Sequence, residues 1–143
     1  MCGIAGIISP DKRILNSAVL KNMADALAHR GPDGEGFWIN NNFTAGFAHR
    51  RLSIIDLSEA AAQPMHYLHQ YSIVYNGEIY NYIELKRELK KSGYHFNTES
   101  DTEVILAAYD CYKERCLQYF DGMFAFAIWD EKEQVLFAAR DRF

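Results

Sequence analysis

At 143 residues the chain has the length of one domain that can bury a real core. Its 49% apolar and 14% aromatic content excludes a disordered protein. The formal net charge of −4 comes without an acidic or basic block, so neither a nucleic-acid nor a membrane surface is expected. Gly3 to Ile8 reads as a buried strand closed by Ser9-Pro10-Asp11. Its apolar run from Ile4 is too short, and lacks the basic flank, for a signal peptide or a membrane span. Asn16 or Ser17 caps a first helix with Leu20, Met23 and Leu27 on one face. Gly31, Pro32, Gly34 and Gly36 make His29 to Gly36 a loop. Two strands, Phe37 to Ile39 and Phe43 to Ala48, join through Asn40-Asn41-Asn42. Tyr71 to Tyr75 is a strand broken at Asn76-Gly77. Tyr82, Leu85 and Leu89 line a second helix that ends at Gly93, with Lys86-Arg87 and Lys90-Lys91 on a solvated face. Ser100-x-x-Glu103 is a capping box for a third helix, with Val104, Ile105, Ala108 and Tyr112 inward. Met123 to Trp129 and Val135 to Ala139 are apolar strands around a polar turn. Strands early and late with helices between define an α+β class with a mostly antiparallel sheet. Strands apolar on consecutive positions are covered on both faces, which points to a layered sandwich.

The chemistry begins at the second residue. Met1 precedes a small residue, and its removal leaves Cys2 with a thiol and a free α-amine together. The amine titrates near pH 7.7–8.0 in model compounds, about right for a general base, and a thiol is readily activated as a nucleophile. Cys2, Cys111 and Cys116 lack metal-site spacing, and a reducing cytoplasm is the expected compartment. His66 and His69 have no carboxylate pattern around them, so no metal site is expected. His29, His49 and His95 read as structural or surface residues.

Three further clusters carry functional readings beside plainer ones. Arg50-Arg51 sits at the mouth of an apolar segment, where a guanidinium can grip a substrate carboxylate or simply lie exposed. Asn76-Gly77-Glu78 is first a turn signal; read functionally, the Asn76 amide and the Gly77 N–H are oxyanion donors. Asp101 lies at a helix start, where the dipole favours an anion with or without a ligand.

The ordered series Cys2-Gly3-Ile4-Ala5-Gly6, His29-Arg30-Gly31-Pro32-Asp33-Gly34, His49-Arg50-Arg51-Leu52-Ser53-Ile54-Ile55-Asp56 and Gln63-Pro64 has a familiar character. It continues through Asn76-Gly77-Glu78-Ile79-Tyr80-Asn81-Tyr82, Ser100-Asp101-Thr102-Glu103, Gly122-Met123-Phe124-Ala125-Phe126-Ala127 and Arg140-Asp141-Arg142-Phe143. Together these resemble the glutaminase domain of glutamine-hydrolysing asparagine synthetases, a branch of the class II, N-terminal-nucleophile amidotransferases. The resemblance spans the whole chain and fits the sugar-phosphate and purine-pathway branches less well.

It implies an N-terminal-nucleophile hydrolase sandwich of two antiparallel sheets flanked by helices, incomplete at its C-terminus. Cys2 would attack the side-chain amide of glutamine through a thioester, with Asn76 and Gly77 stabilising the oxyanion. Arg51 would hold the α-carboxylate and Asp101 the α-ammonium, with Ile54, Ile55 and Glu78 completing the pocket. Residues 1–143 would be the N-terminal part of a type-2 amidotransferase domain. Glutamine hydrolysis would need no cofactor, whereas ATP and Mg would serve a C-terminal synthetase domain that turns aspartate into asparagine. Related domains also amidate other carboxylates. Lacking later strands, the chain alone would be a poor glutaminase or an inactive interaction piece, with an exposed sheet edge inviting a homodimer.

Overall fold

The computed structural model describes residues 2–52 and 62–142. Strand β1 (Gly3–Ile8) is followed by α1 (Ser17–Ala26), β2 (Gly34–Ile39) and β3 (Ala45–Arg51). Next come β4 (Met65–Tyr67), β5 (Tyr71–Ile79), α2 (Tyr82–Lys91) and α3 (Asp101–Tyr112), and then β6 (Gly122–Asp130) and β7 (Val135–Arg140). Short 3-10 stretches cover Ala28–Arg30 and Lys113–Tyr119.

The strands form two antiparallel sheets, ordered β1-β3-β2 and β4-β5-β6-β7. Alternation along each strand decides what every face meets. In β3, Ala45 and Phe47 join Val74 of β5 and Trp129 of β6 in an apolar cluster between the sheets. Ala48 points the other way, onto Leu20 and Ala24 of α1. In β5, Ile73, Tyr75 and Ile79 pack towards α2 and α3, in the largest core of the molecule. The layers are therefore helix, sheet, sheet, helices, as the doubly apolar strands imply.

Local chemistry explains the element ends. The Asn16 side chain accepts from the Val19 N–H at 3.0 Å and so caps α1. Ser100 caps α3 by accepting from Thr102 N–H at 3.1 Å. Glu103 does not return to Ser100 as a capping box would. Its carboxylate instead takes the N–H groups of Asn97 and Thr98 at 2.8–3.1 Å and the Thr98 hydroxyl at 2.7 Å, pinning the loop before the helix.

Several sequence expectations need correction. The Asn76-Gly77 pair does not break a strand, because β5 runs unbroken to Ile79 and pairs with β6 throughout. The loop expected over His29 to Gly36 ends earlier, since β2 starts at Gly34. Arg50 and Arg51 close β3, and the apolar segment after them, from residue 53 on, lies outside the described residues. Lys86 is not solvated: it is buried, donating to Thr98 O at 2.7 Å and pairing with Glu99 at 2.9 Å.

Candidate active site

The alternation that builds the sandwich also selects the side chains facing the space between its sheets. On β3 these are Phe47, His49 and Arg51; on β5 they are Val74 and Asn76. Cys2 continues the parity of Ile4 on β1, which lies in the same inter-sheet cluster. Strands β1 and β3 both pack against β5. Cys2 and Arg51 therefore lie at matching ends of β1 and β3, on the face towards which β5 turns Asn76.

The Cys2 thiol lies against the backbone just beyond β3. Leu52 N–H donates to Sγ at 3.3 Å, and Sγ–H faces the Leu52 carbonyl at 3.6 Å. Arg30 Nε donates to the Cys2 carbonyl at 3.1 Å, tying Cys2 to the turn after α1. Gly31 allows that turn to lie flat on β3, because a Cβ there would fall 2.4 Å from the Arg50 carbonyl. Arg50 points to the α1 side and binds Ala24 O, Asp25 and Glu35, leaving the inter-sheet face to Arg51.

On the second sheet, Gly77 has φ +151 and a Cβ at that position would come within 2.2 Å of the Met123 carbonyl. Only glycine fits there. Asn76 Oδ1 is buried and, among the described residues, unpartnered; His49 Nε2 is the other such atom. His49 is only 2% exposed, and burial first, then the Arg51 charge, lowers its pKa to about 4. The nearby Tyr75 backbone acts in the opposite sense, more weakly. The imidazole is thus neutral near pH 7.

Asp101 opens α3 and is withdrawn from water as well as lying at a helix start. It is 4% exposed, and burial raises its pKa although Tyr75, Ile79 and Thr102 hydrogen bonds oppose this. Its Oδ2 accepts from the Tyr75 hydroxyl at 2.7 Å and the Ile79 N–H at 3.0 Å. Glu78 is exposed on the same stretch, and its charge reaches both Asp101 and Tyr75. Ile54 and Ile55 lie outside the described residues.

Three contributors were not singled out from sequence: the Leu52 backbone, His49 and Tyr75. His49 could have been found by strand parity, since it lies two residues before Arg51 and two after Phe47. The Leu52 and Tyr75 contacts join segments distant in sequence, and nothing local announces them. Among the described residues, no cluster of His, Cys, Asp or Glu could hold a metal ion. His66 instead meets Ser72 Oγ at 2.8 Å. No helix among the described residues is long and apolar enough to cross a membrane.

A helix–sheet–sheet–helix sandwich with a cysteine just ahead of its first strand is the architecture of an N-terminal-nucleophile amidotransferase. The chain belongs to the glutamine amidotransferase domain family, whose model matches residues 1–143. It is 46% identical over 147 residues to glutamine-hydrolysing asparagine synthetase 1 of Bacillus subtilis, across 100% of this chain and 23% of that protein. It is 42% identical over 146 residues to glutamine-hydrolysing asparagine synthetase 3 of Bacillus subtilis, over 99% of this chain and 23% of that one. Amidase chry2 of Gibberella zeae is 40% identical, over 100% of this chain and 23% of its own length. The chain thus spans about a quarter of the length of the curated relatives it matches. The glutamine phosphoribosylpyrophosphate amidotransferase of B. subtilis shares the fold, with a TM-score of 0.69 at 21% identity, over 98% of this chain and 36% of that one.

Proposed function

We propose that this chain hydrolyses glutamine to glutamate and ammonia, with Cys2 as the nucleophile. The Cys2 thiolate adds to the side-chain amide carbon, and the α-amine of a mature Cys2 takes the thiol proton. The Asn76 side-chain amide and the Gly77 N–H receive the oxyanion. The C–N bond then breaks, the proton passes to the leaving nitrogen, and ammonia departs. Water adds to the γ-glutamyl thioester, releasing glutamate and restoring the thiol.

The substrate ends match the charges around the site. Arg51 pairs with the α-carboxylate; Asp101, with Glu78 beside it, pairs with the α-ammonium. Ile54 and Ile55 are proposed to complete this pocket. What supports the reading is that Cys2, Arg51 and Asn76 share the inter-sheet face in a member of the glutamine amidotransferase domain family.

The relatives' lengths support a larger assembly. Residues 1–143 are read as the N-terminal part of the amidotransferase domain. Ammonia would pass to a C-terminal synthetase domain that uses ATP and Mg to convert aspartate to asparagine. The likeness to amidase chry2 keeps an acceptor other than aspartate as the second reading.

The test is Cys2→Ala, assayed by glutamate release from a sample whose intact mass confirms loss of Met1. Activity should vanish, while ammonia-dependent synthesis persists where a synthetase domain is attached. Glutamate release at the parental rate by the variant would remove Cys2 as nucleophile.

A further inference from the structure

Asp101 is held by its neighbours in a way that a solvent-exposed acid would not be. Both direct donors to Oδ2, the Tyr75 hydroxyl at 2.7 Å and the Ile79 N–H at 3.0 Å, come from β5. A carboxylate with one oxygen fixed by two donors has its plane set by them and loses the freedom to swing. Without the Tyr75 hydroxyl, Oδ2 would keep only the Ile79 amide.

Tyr75 is well placed for this task because its own backbone is fixed on both sides. Its N–H donates to Gln63 Oε1 at 2.6 Å, and on its other side it sits opposite Phe126 in the β5–β6 ladder. Gln63 also reaches Thr102 at 3.5 Å, the residue after Asp101. The tyrosine ring lies in the core facing α3, and its next neighbour along β5 is Asn76. Burial and the facing Asp101 charge keep the phenol protonated well beyond neutral pH, so it remains a donor.

We infer that Tyr75 is a positioning residue for substrate selection, its hydroxyl fixing the Asp101 carboxylate so that the site demands a free α-ammonium on its ligand. The inference rests on the reading of Asp101 given above. It assigns Tyr75 no contact with the reacting atoms.

The experiment measures binding, so it does not depend on turnover. In the chain carrying Cys2→Ala, calorimetry compares the Kd of glutamine with that of 4-carbamoylbutanoate, which is glutamine without its α-amine. Glutamine should bind about 10²-fold more tightly, a factor typical of a paired charge in a buried site. Tyr75→Phe should cut that preference about tenfold while the Kd of the deamino compound stays within about twofold. Asp101→Asn should abolish the preference.

The outcomes separate the two claims. If Asp101→Asn keeps the preference, or glutamine shows none, the Asp101 reading fails and takes the inference with it. If Asp101→Asn abolishes the preference but Tyr75→Phe retains it, only the role of Tyr75 is overturned. Parallel weakening of both ligands by Tyr75→Phe would mark a merely structural residue and also overturn it. Should Tyr75→Phe fail to fold by circular dichroism, 4-fluorophenylalanine at position 75 fills the hydroxyl's volume without donating. It should show the same tenfold loss, and retention of the preference would overturn the inference.

Discussion

Arg51 and Asn76 face the same space but should fail differently when truncated. In the proposed mechanism Arg51 meets a charge that the substrate carries before and during reaction, so Arg51→Ala should mainly raise KM. There Asn76 meets a charge that exists only after attack, so Asn76→Ala should mainly lower kcat, by about 10²–10³-fold. Steady-state glutamate release distinguishes the two, and the reverse pattern would exchange their roles. His49 makes a prediction about pH. Its folded-state pKa of about 4 lies below the ordinary 6.5, so between these values the unfolded chain binds the extra proton. Its contribution to stability is fully present above pH 6.5 and is lost as pH falls towards 4. The total is on the order of 3 kcal/mol. Urea unfolding at pH 7 and pH 4.5 should show this loss in the parent and a smaller one in His49→Gln. Asp101, whose pKa is raised, titrates with the opposite sign and is common to both proteins.

At the scale of elements, β5 carries most of what sequence reading could and could not show. Strand β1, α2 and the start of α3 follow from local pattern: an apolar run, a helical stripe and a capping serine. Asn76-Gly77 misleads because turn preference is a local property and pairing is not. Nine consecutive residues of β5 pair with β6, and that ladder overrides a two-residue turn signal. The three-residue strand β4 is too short for any periodicity to reveal. Cys2, Arg51, Asn76 and Asp101 could be named from sequence, whereas the contacts that hold them come from segments far along the chain. Glycine at position 77 answers to both the ladder and the site. Gly77→Ala should destabilise the protein by about 2–4 kcal/mol, since it combines a strained φ with a clash on the Met123 carbonyl. A shift in the urea midpoint measures it; an unchanged midpoint would mean that β5 and β6 can move apart at no cost.

Across the whole molecule, the proposed site is divided between the sheets, Cys2 and Arg51 on one and Asn76 on the other. The apolar cluster joining the sheets is small beside the core under α2 and α3. At the far end, Glu131 Oε2 accepts from Trp129 Nε1 at 2.6 Å and Asn40 Nδ2 at 3.4 Å, fastening the β2–β3 turn to the start of the β6–β7 turn. Neither of those contacts reaches the end where Cys2 meets Leu52. This clasp holds the sandwich at the end away from Cys2 like the hinge of a shell, while among the described residues the rim also rests on the small apolar cluster. Mild urea should part that rim first, so glutamine hydrolysis should fade at lower urea than the far-ultraviolet circular dichroism of the helices. Coincident midpoints would show that the two leaves separate only when the chain unfolds. If they diverge, there is a range of conditions in which this protein keeps its fold and has already ceased to be a catalyst.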